Sequence, residues 1–499
     1  MKRTATLILA ALLPAVPGAT RSVRAAEKAD ILLIMPDQMR GDCLSVLGHP
    51  VVHTPQLDEL ARQGTLFRRA YSTVPSCIPA RYALLTGLAP QTSGVVGFFG
   101  KPMTTPTLPA VLAGAGYATV LVGRNMHQVP ACGTCGYQRQ ILGSTYVSDD
   151  AYDAFLKQVA PESGGIRQVI QRQGLDCTLW PAKPWPLADA LHPTAWVVRQ
   201  SLNIVTGTPP AQPLFLTASF YAPHPPLFPP RKYFDACLKA NLPKPAHGEW
   251  VDWGALTPKG TQGGHRVLLV GETLRAAQAG YFGLIEQLDS EIAPLVAAFK
   301  ARSEKAGRPW VIVVTSDHGE MLGDHGYFRK CEPYEGAANI PFIVAGAPGL
   351  GFKSGRRGMQ PVCLEDIMPT LLELAGAKCP ALMDGVSLVP VLRGGERAVR
   401  EWLHFEHSPC YSKEQAFQAL TDGHYKYIWR PVDGAEQLFN LDKDPREEQD
   451  FSKVVSEVAT LEKWRQCLIR RLASRPKSFS DGQRLIPMKQ HPGESEGKR

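Results

Sequence analysis

At 499 residues the chain exceeds what one hydrophobic core usually organises, so a large domain with a smaller companion is expected. Hydrophobic residues at 44% and charged residues at 20% exclude a fibrous repeat or a largely disordered chain. The formal charge of +8 is not gathered into a Lys/Arg stripe, which argues against nucleic acid as a partner and is compatible with a small anionic one.

The first residues, Met1-Lys2-Arg3, lead into an apolar stretch over 5–16 and then small residues up to Ala25-Ala26, the three-part layout of a secretory leader. That run is too short to span a bilayer. No later stretch reaches the roughly 18 apolar residues a membrane helix needs, so no stable membrane anchor is expected. Removal of 1–26 takes away Lys2, Arg3, Arg21 and Arg24 and no acid, leaving +4. The expectation is an exported protein, periplasmic or secreted. In such an oxidising setting the eleven cysteines less Cys77 make ten, an even number open to pairing, although sequence does not give the pairs. Cys132-Gly133-Thr134-Cys135 has no second pair to hold zinc and sits in a loop-like stretch, so it reads as a local disulfide or two plain thiols.

Four segments then behave alike. Each is a short apolar run ending abruptly in polar residues, as buried parallel strands do where they open onto a crevice at their carboxyl ends. Residues 31–35 lead to Asp37-Gln38, 118–122 to Gly123-Arg124 and His127, 214–220 to His224, and 311–314 to Asp317-His318. Between the first two, Ser76 is a natural N-cap and Gly87 a natural stop for a helix that begins at Cys77. A second helix is expected at 108–112, ended by Gly114 and Gly116. This alternation predicts an α/β domain over 27–395, a large doubly wound, mostly parallel sheet flanked by helices. The spans 129–186 and 242–264 are too long for ordinary connections and read as insertions beside the crevice. Trp180, Trp185, Trp250 and Trp253 lie in them, available for stacking on sugar rings or for packing the loops.

Beyond 395 the pattern becomes antiparallel: 416–421, an Asp422-Gly423 turn, 424–430 and a further strand at 436–441. Val458, Leu461, Trp464, Leu468 and Leu472 then recur at helical spacing. The prediction for 396–475 is a smaller antiparallel sheet with one helix packed on it, followed by a disordered tail over 476–499.

Cys77 would stand at the positive end of its helix, where unpaired N–H groups favour an anion. An arbitrary cysteine is more often a buried structural residue, but the surroundings of this one decide otherwise. Cys77-Ile78-Pro79-Ala80-Arg81, followed at five residues by Thr86-Gly87, resembles the signature of type I sulfatases of the alkaline-phosphatase-like superfamily. Asp317-His318-Gly319-Glu320, Leu322-Gly323-Asp324-His325-Gly326, Asp366-Ile367-Met368-Pro369-Thr370 and Glu436-Gln437-Leu438-Phe439-Asn440-Leu441 extend the resemblance over most of 29–445.

The resemblance implies a sulfuric ester hydrolase in which a maturation enzyme converts Cys77 to formylglycine, whose hydrated form attacks sulfur. It implies Asp37, Gln38, Asp317 and His318 as ligands of Ca²⁺, which suits hard oxygen donors. Arg81, one turn beyond Cys77, would brace the nucleophile, His127 would assist its deprotonation, and His224 would face the leaving group. Lys330 would hold a sulfate oxygen, as would Arg124. The family commonly shows Gly-Lys-x-His where this chain reads Gly123-Arg124-Asn125-Met126-His127, so Arg replaces Lys and one extra residue precedes the histidine. His49, His53 and His325 fall in or near the same motifs without an assigned role. The expected substrate is a sulfated small molecule or glycan. Competing readings are a phosphodiester or phosphonate-ester hydrolase on the same fold and a catalytically silent sulfoglycan-binding protein.

Overall fold

A computed structural model describes residues 28–256, 266–396, 398–475 and 479–488, so the expected leader lies outside the described residues. The strands are β1 (Asp30–Asp37), β2 (Thr65–Phe67), β3 (Ala70–Tyr71), β4 (Ala118–Gly123), β5 (Arg139–Leu142), β6 (Leu214–Pro223) and β7 (Trp310–Thr315). They continue with β8 (Phe342–Gly346), β9 (Arg356–Gly358), β10 (Val362–Cys363), β11 (Leu403–His407), β12 (Phe417–Thr421), β13 (Tyr425–Trp429) and β14 (Glu436–Asn440).

Eight of them form one sheet in the order β5-β4-β6-β1-β7-β8-β2-β9. The run from β5 to β7 is parallel, while β8 is antiparallel to both β7 and β2. Alternate residues of β1 feed two cores: Leu32 and Ile34 on one face, Ile31, Leu33 and Met35 on the other. Burial on both faces explains why the strand reads as a continuous apolar run. The 35-residue helix Gly271–Lys305 covers the first face, sending Phe282, Ile285, Leu288, Ile292 and Leu295 into its core. The helices Cys77–Thr86, Leu108–Gly114 and Ile367–Leu374 cover the second. Helices on both faces leave only the strand ends open for chemistry.

β3 and β10 pair in parallel as a small separate ribbon, and the last four strands build the antiparallel sheet β11-β12-β13-β14. Leu420, Tyr427, Trp429 and Leu438 meet Leu461, Trp464, Leu468 and Leu472 of the helix Val458–Ala473 on one side. On the other side Phe405, Phe417, Ala419, Ile428 and Phe439 pack on Tyr71, Met321 and Tyr334 of the larger body. β11 escaped the sequence reading because its Leu-His-Phe-Glu-His pattern hides two buried histidines, His404 and His407, among its apolar residues.

The structure fills in three of these expectations. The span 129–186, read as an insertion, supplies β5 at the sheet edge and the helices Ala151–Val159 and Ile166–Gln173. Its tryptophans and those of 242–264 pack the protein rather than standing free. Trp185 stacks on Phe228, Trp180 meets Phe328 edge-on, and Trp250 lies on Tyr334 and donates to the Glu447 carbonyl at 2.9 Å. Trp253 stacks on His247 at 3.9 Å. Finally, residues 479–488 of the tail have structure, with Phe479 against Trp429 and a bridge between Ser480 and Leu485, while the rest of 476–499 lies outside the described residues.

Candidate active site

The carboxyl ends of β1, β4, β6 and β7 bring together what the sequence separates. Asp37 is the last residue of β1, Arg124 follows β4, His224 follows β6, and Asp317-His318 follow β7. Opposite them the helix Cys77–Thr86 presents its first residue, and Gly87 ends it in the left-handed conformation (φ 65°) with its N–H on the Ala83 carbonyl. Ser76 occupies the N-cap without making the expected side-chain bond; its hydroxyl pairs with His407 Nε2 at 2.8 Å instead. The amino end of the helix is thereby tied to the C-terminal sheet.

Cys77 Sγ is ringed by polar atoms: Lys330 Nζ at 3.0 Å, His318 Nε2 at 3.1 Å and Asp37 Oδ1 at 3.9 Å. Burial alone would raise the thiol pKa, but Lys330 and His318 overcome it and hold the group well below its ordinary value. His318 Nδ1 is committed to the Gly319 carbonyl at 2.8 Å, which turns Nε2 to the centre; burial lowers the ring's pKa, but the Asp317 and Cys77 charges more than reverse it.

The two carboxylates divide their oxygens. Asp37 Oδ2 accepts from Arg81 Nη2 at 2.8 Å and lies against Arg124 Nε, while Asp317 Oδ2 accepts from Arg81 Nε at 2.9 Å. Their Oδ1 atoms turn toward Cys77 and His318, at 3.9 and 3.7 Å from His318 Nε2. All of these side chains are fully buried or nearly so. Burial pushes both aspartates up, but at Asp37 chiefly Arg124, and at Asp317 chiefly His318 followed by Arg81, more than reverse it, so both stay ionised. Asp37, Cys77, Asp317 and His318 thus place one donor atom each within 4.8 Å of one another. Two carboxylate oxygens and an imidazole nitrogen, which a bound cation would keep deprotonated, fit a divalent cation, with the hard oxygens favouring Ca²⁺.

Gln38 is near this group but points elsewhere. Its backbone is left-handed (φ 67°), its amide oxygen accepts from Lys330 Nζ at 2.8 Å, and its amide nitrogen donates to Glu320. The structure therefore sets Gln38 as a link between the lysine and a buried glutamate, with only its main-chain N–H on Asp317 Oδ1 at 3.1 Å. His127, Arg329 and Cys331 are also left-handed, so the rim holds several residues in a conformation that costs energy away from glycine.

Lys330 Nζ reaches a third partner, His224 Nε2, at 3.1 Å. His224 Nδ1 bonds the Pro225 carbonyl at 2.7 Å, and burial, followed by the Lys330 charge, drives the ring down to about 3, so it is neutral. Arg124 lies over the Tyr221 ring at 4.2 Å and within 3.2 Å of His127 Nε2 and of the Tyr146 hydroxyl. Hydrogen bonding to Cys77 raises the His127 pKa but burial dominates and lowers it. Nine of the ten residues singled out from sequence therefore converge on one centre, and Gln38 lies beside it with its amide on Lys330 and Glu320. Sequence reasoning passed over Tyr146, Tyr221 and Glu320. Glu320 was visible within the Asp317-His318-Gly319-Glu320 motif, whereas nothing in the sequence marked either tyrosine.

The Sulfatase family model matches residues 29–377, and a model described as N-sulphoglucosamine sulphohydrolase, C-terminal, matches 323–473. An arylsulfatase of Clostridium perfringens is 34% identical over 476 residues, covering 92% of this chain and 97% of its own. Among solved structures, a phosphonate monoester hydrolase from Silicibacter pomeroyi superposes with a TM-score of 0.73 at 24% identity, over 90% of this chain and 96% of that one. A structure holding D-glucosamine-2-N,6-O-disulfate as its substrate superposes with a TM-score of 0.68 at 19% identity, over 89% and 97%.

Proposed function

The chain belongs to the sulfatase family, and on that premise we propose that it removes sulfate from a sulfated carbohydrate, with Cys77 oxidised to formylglycine as nucleophile and Ca²⁺ beside it. The supporting observation is the convergence on Cys77 Sγ of Lys330 Nζ, His318 Nε2 and Asp37 Oδ1 at the positive end of a helix. In this reading Sγ stands where the oxygens of the hydrated aldehyde would be. Hydrated formylglycine would supply an oxygen nucleophile with a second hydroxyl for releasing sulfate, and Ca²⁺ held by Asp37, Asp317 and His318 would polarise a sulfate oxygen.

The remaining work falls to the chain's own side chains. Lys330, already within 3.1 Å of three polar atoms, exchanges them for a sulfate oxygen, and Arg124, held over Tyr221, supplies a second cation. Arg81 bridges both aspartates through Nε and Nη2, and so fixes the angle between them. His127 accepts a proton beside the nucleophile. His224 turns Nε2 toward Lys330 on the leaving-group side of the centre, and in its protonated form it gives that proton to the departing alcohol.

Residues 27–395 then form the catalytic part and 396–475 a companion that braces the nucleophile's helix through His407. No helix among the described residues is long and apolar enough to cross a membrane. With the leader-like amino terminus, this supports export and a role in releasing sulfate from external glycans. The phosphonate monoester hydrolase among the structural neighbours favours a second reading, phosphorus-ester hydrolysis from the same centre. The retained nucleophile position and both buried carboxylates argue against a silent binding protein.

Peptide mass spectrometry of active protein should find formylglycine at position 77, and Cys77→Ala should fold yet lose at least about 10⁴-fold in turnover. Parallel assays on sulfated mono- and disaccharides and on an aryl phosphodiester choose between the readings. Full activity with unmodified cysteine would sink the nucleophile, and a preference for the phosphodiester would replace the reaction.

A further inference from the structure

The residue after Lys330 is a cysteine that the reaction does not use. Cys331 is fully buried, its N–H bonds the Pro75 carbonyl at 2.9 Å, and its backbone is left-handed (φ 73°), so its side chain is aimed by the chain rather than by side-chain choice. Its Sγ lies 3.0 Å from Sγ of Cys410, within about 1 Å of the length of an S–S bond. Cys410 is half-buried on the segment that follows β11. That segment is already pinned on both sides of the sulfur: the Ser408 N–H bonds the Val96 carbonyl at 2.7 Å, and the Tyr411 ring carries the Arg329 guanidinium at 4.8 Å. Cys132 and Cys135, the pair that sequence spacing nominates, are exposed and half-buried thiols.

We propose that Cys331 and Cys410 are joined by a disulfide that straps the Lys330 loop to the C-terminal sheet. The oxidant is a protein or small-molecule disulfide, as an oxidising compartment supplies. The more accessible Cys410 thiolate attacks one sulfur of that disulfide and releases one thiolate. Cys331 gives up its proton and attacks the Cys410 sulfur, expelling the second. Two protein thiols are oxidised, one disulfide is reduced to two thiols, and the two protons end on the released pair. The bond closes a loop of 79 positions and ties the lysine that contacts Cys77, Gln38 and His224 to the sheet that also holds Ser76. Bond formation is independent of the reaction proposed above; only its effect on substrate binding rests on that reading.

The full chain, purified without reductant and equilibrated with oxidised glutathione, is alkylated, digested and mapped. The peptides bearing Cys331 and Cys410 are expected as one species, lighter by two hydrogens and split by reduction. Separate alkylation of both sulfurs, or pairing of either with another cysteine such as Cys77, would overturn the assignment. Reduction should lower the melting temperature by on the order of 5 °C. Cys410→Ser should show that lowered value with and without reductant. For the strap's effect on the lysine, reduction of the wild type should raise KM for a sulfated substrate about threefold or more while kcat changes less, and should leave Cys410→Ser unmoved. A mapped bond whose reduction changes neither melting temperature nor KM would overturn the strap. Loss of the KM effect alone, with the bond and the melting shift intact, would count against the role of Lys330 instead.

Discussion

Buried charge gathers both at the joint between the two sheets and at the strand ends, and of these two clusters one has the form of an active site. At the joint between the two sheets, Lys426 reaches Glu335 and Glu447 at 2.7 Å each and the Pro333 carbonyl at 2.9 Å, while Arg430 pairs with Glu332 at 3.0 Å. At the strand ends, Asp37 and Asp317 are paired with Arg81 at similar distances and similar burial. Both clusters perturb their groups: burial lifts Glu447 to about 7 against the pull of Lys426, and the guanidiniums hold Asp37 down. What differs is direction. The joint turns its charges on one another and on the backbone, whereas the strand ends keep Asp37 Oδ1, Asp317 Oδ1, His318 Nε2 and Cys77 Sγ facing a common point. Perturbed ionisation marks both places, and convergence of metal-ligating atoms on one point marks only the strand ends.

Breaking the strand-end cluster should cost activity first. Asp317→Asn keeps the shape but removes one anionic oxygen facing the centre, so kcat/KM should fall ~10³-fold or more, and added Ca²⁺ should restore less activity to chelated variant than to chelated wild type. Equal recovery of the two after chelation would remove Asp317 from the metal site. The next largest effect is expected at His224, where His224→Asn should lower kcat/KM about 10²–10⁴-fold on a sugar sulfate but far less on nitrophenyl sulfate, whose leaving group needs no proton. Equal losses would assign His224 to sulfate binding.

Breaking the joint should do the reverse. Lys426→Met strands two glutamates, one of them fully buried, at a cost of about 3–5 kcal/mol in unfolding free energy. The kcat/KM of the folded fraction should stay within about threefold. A large activity loss with unchanged stability would erase the distinction between the two clusters.

Much of the strand-end cluster was legible because β strands and a helix N-terminus announce themselves locally. The apolar runs before Asp37, Arg124, His224 and Asp317 fix where those side chains emerge, and Arg81 follows Cys77 by one helical turn. What stayed hidden depends on contacts that no local pattern encodes. Gln38 reads as a ligand from its position, yet its left-handed backbone sends the side chain to Lys330 and Glu320, 292 and 282 positions away. Ser76 reads as a cap, but a histidine 331 positions on takes its hydroxyl. The joint was invisible altogether, since Lys426 and Glu447 look like ordinary surface charges in a strand and a turn.

Burial lowers the pKa of both His224, at the crevice, and His192, away from it, to about 3. His192 is buried between Trp185 and Phe228, at ring distances of 5.2 and 5.3 Å, and its Nδ1 accepts from the Thr194 N–H at 3.1 Å to cap the helix Pro193–Gly207. Above pH ~6.5 neither the folded nor the unfolded ring carries the proton, so the titration contributes nothing. As pH falls, the unfolded chain takes a proton that the folded one refuses, and stability drops by about 1.4 kcal/mol per pH unit until the folded ring titrates near 3. His192→Asn keeps a side-chain oxygen for the cap and does not titrate. Its packing loss is the same at every pH, so the wild type should exceed it in stability at pH 7.5 and should lose about 2 to 3 kcal/mol of that lead at pH 4.5. Urea unfolding of both proteins at the two pH values measures the change. A lead that stays constant would mean the folded protein accommodates a charged ring at 192, and depressed histidines would then belong to the crevice rather than to burial.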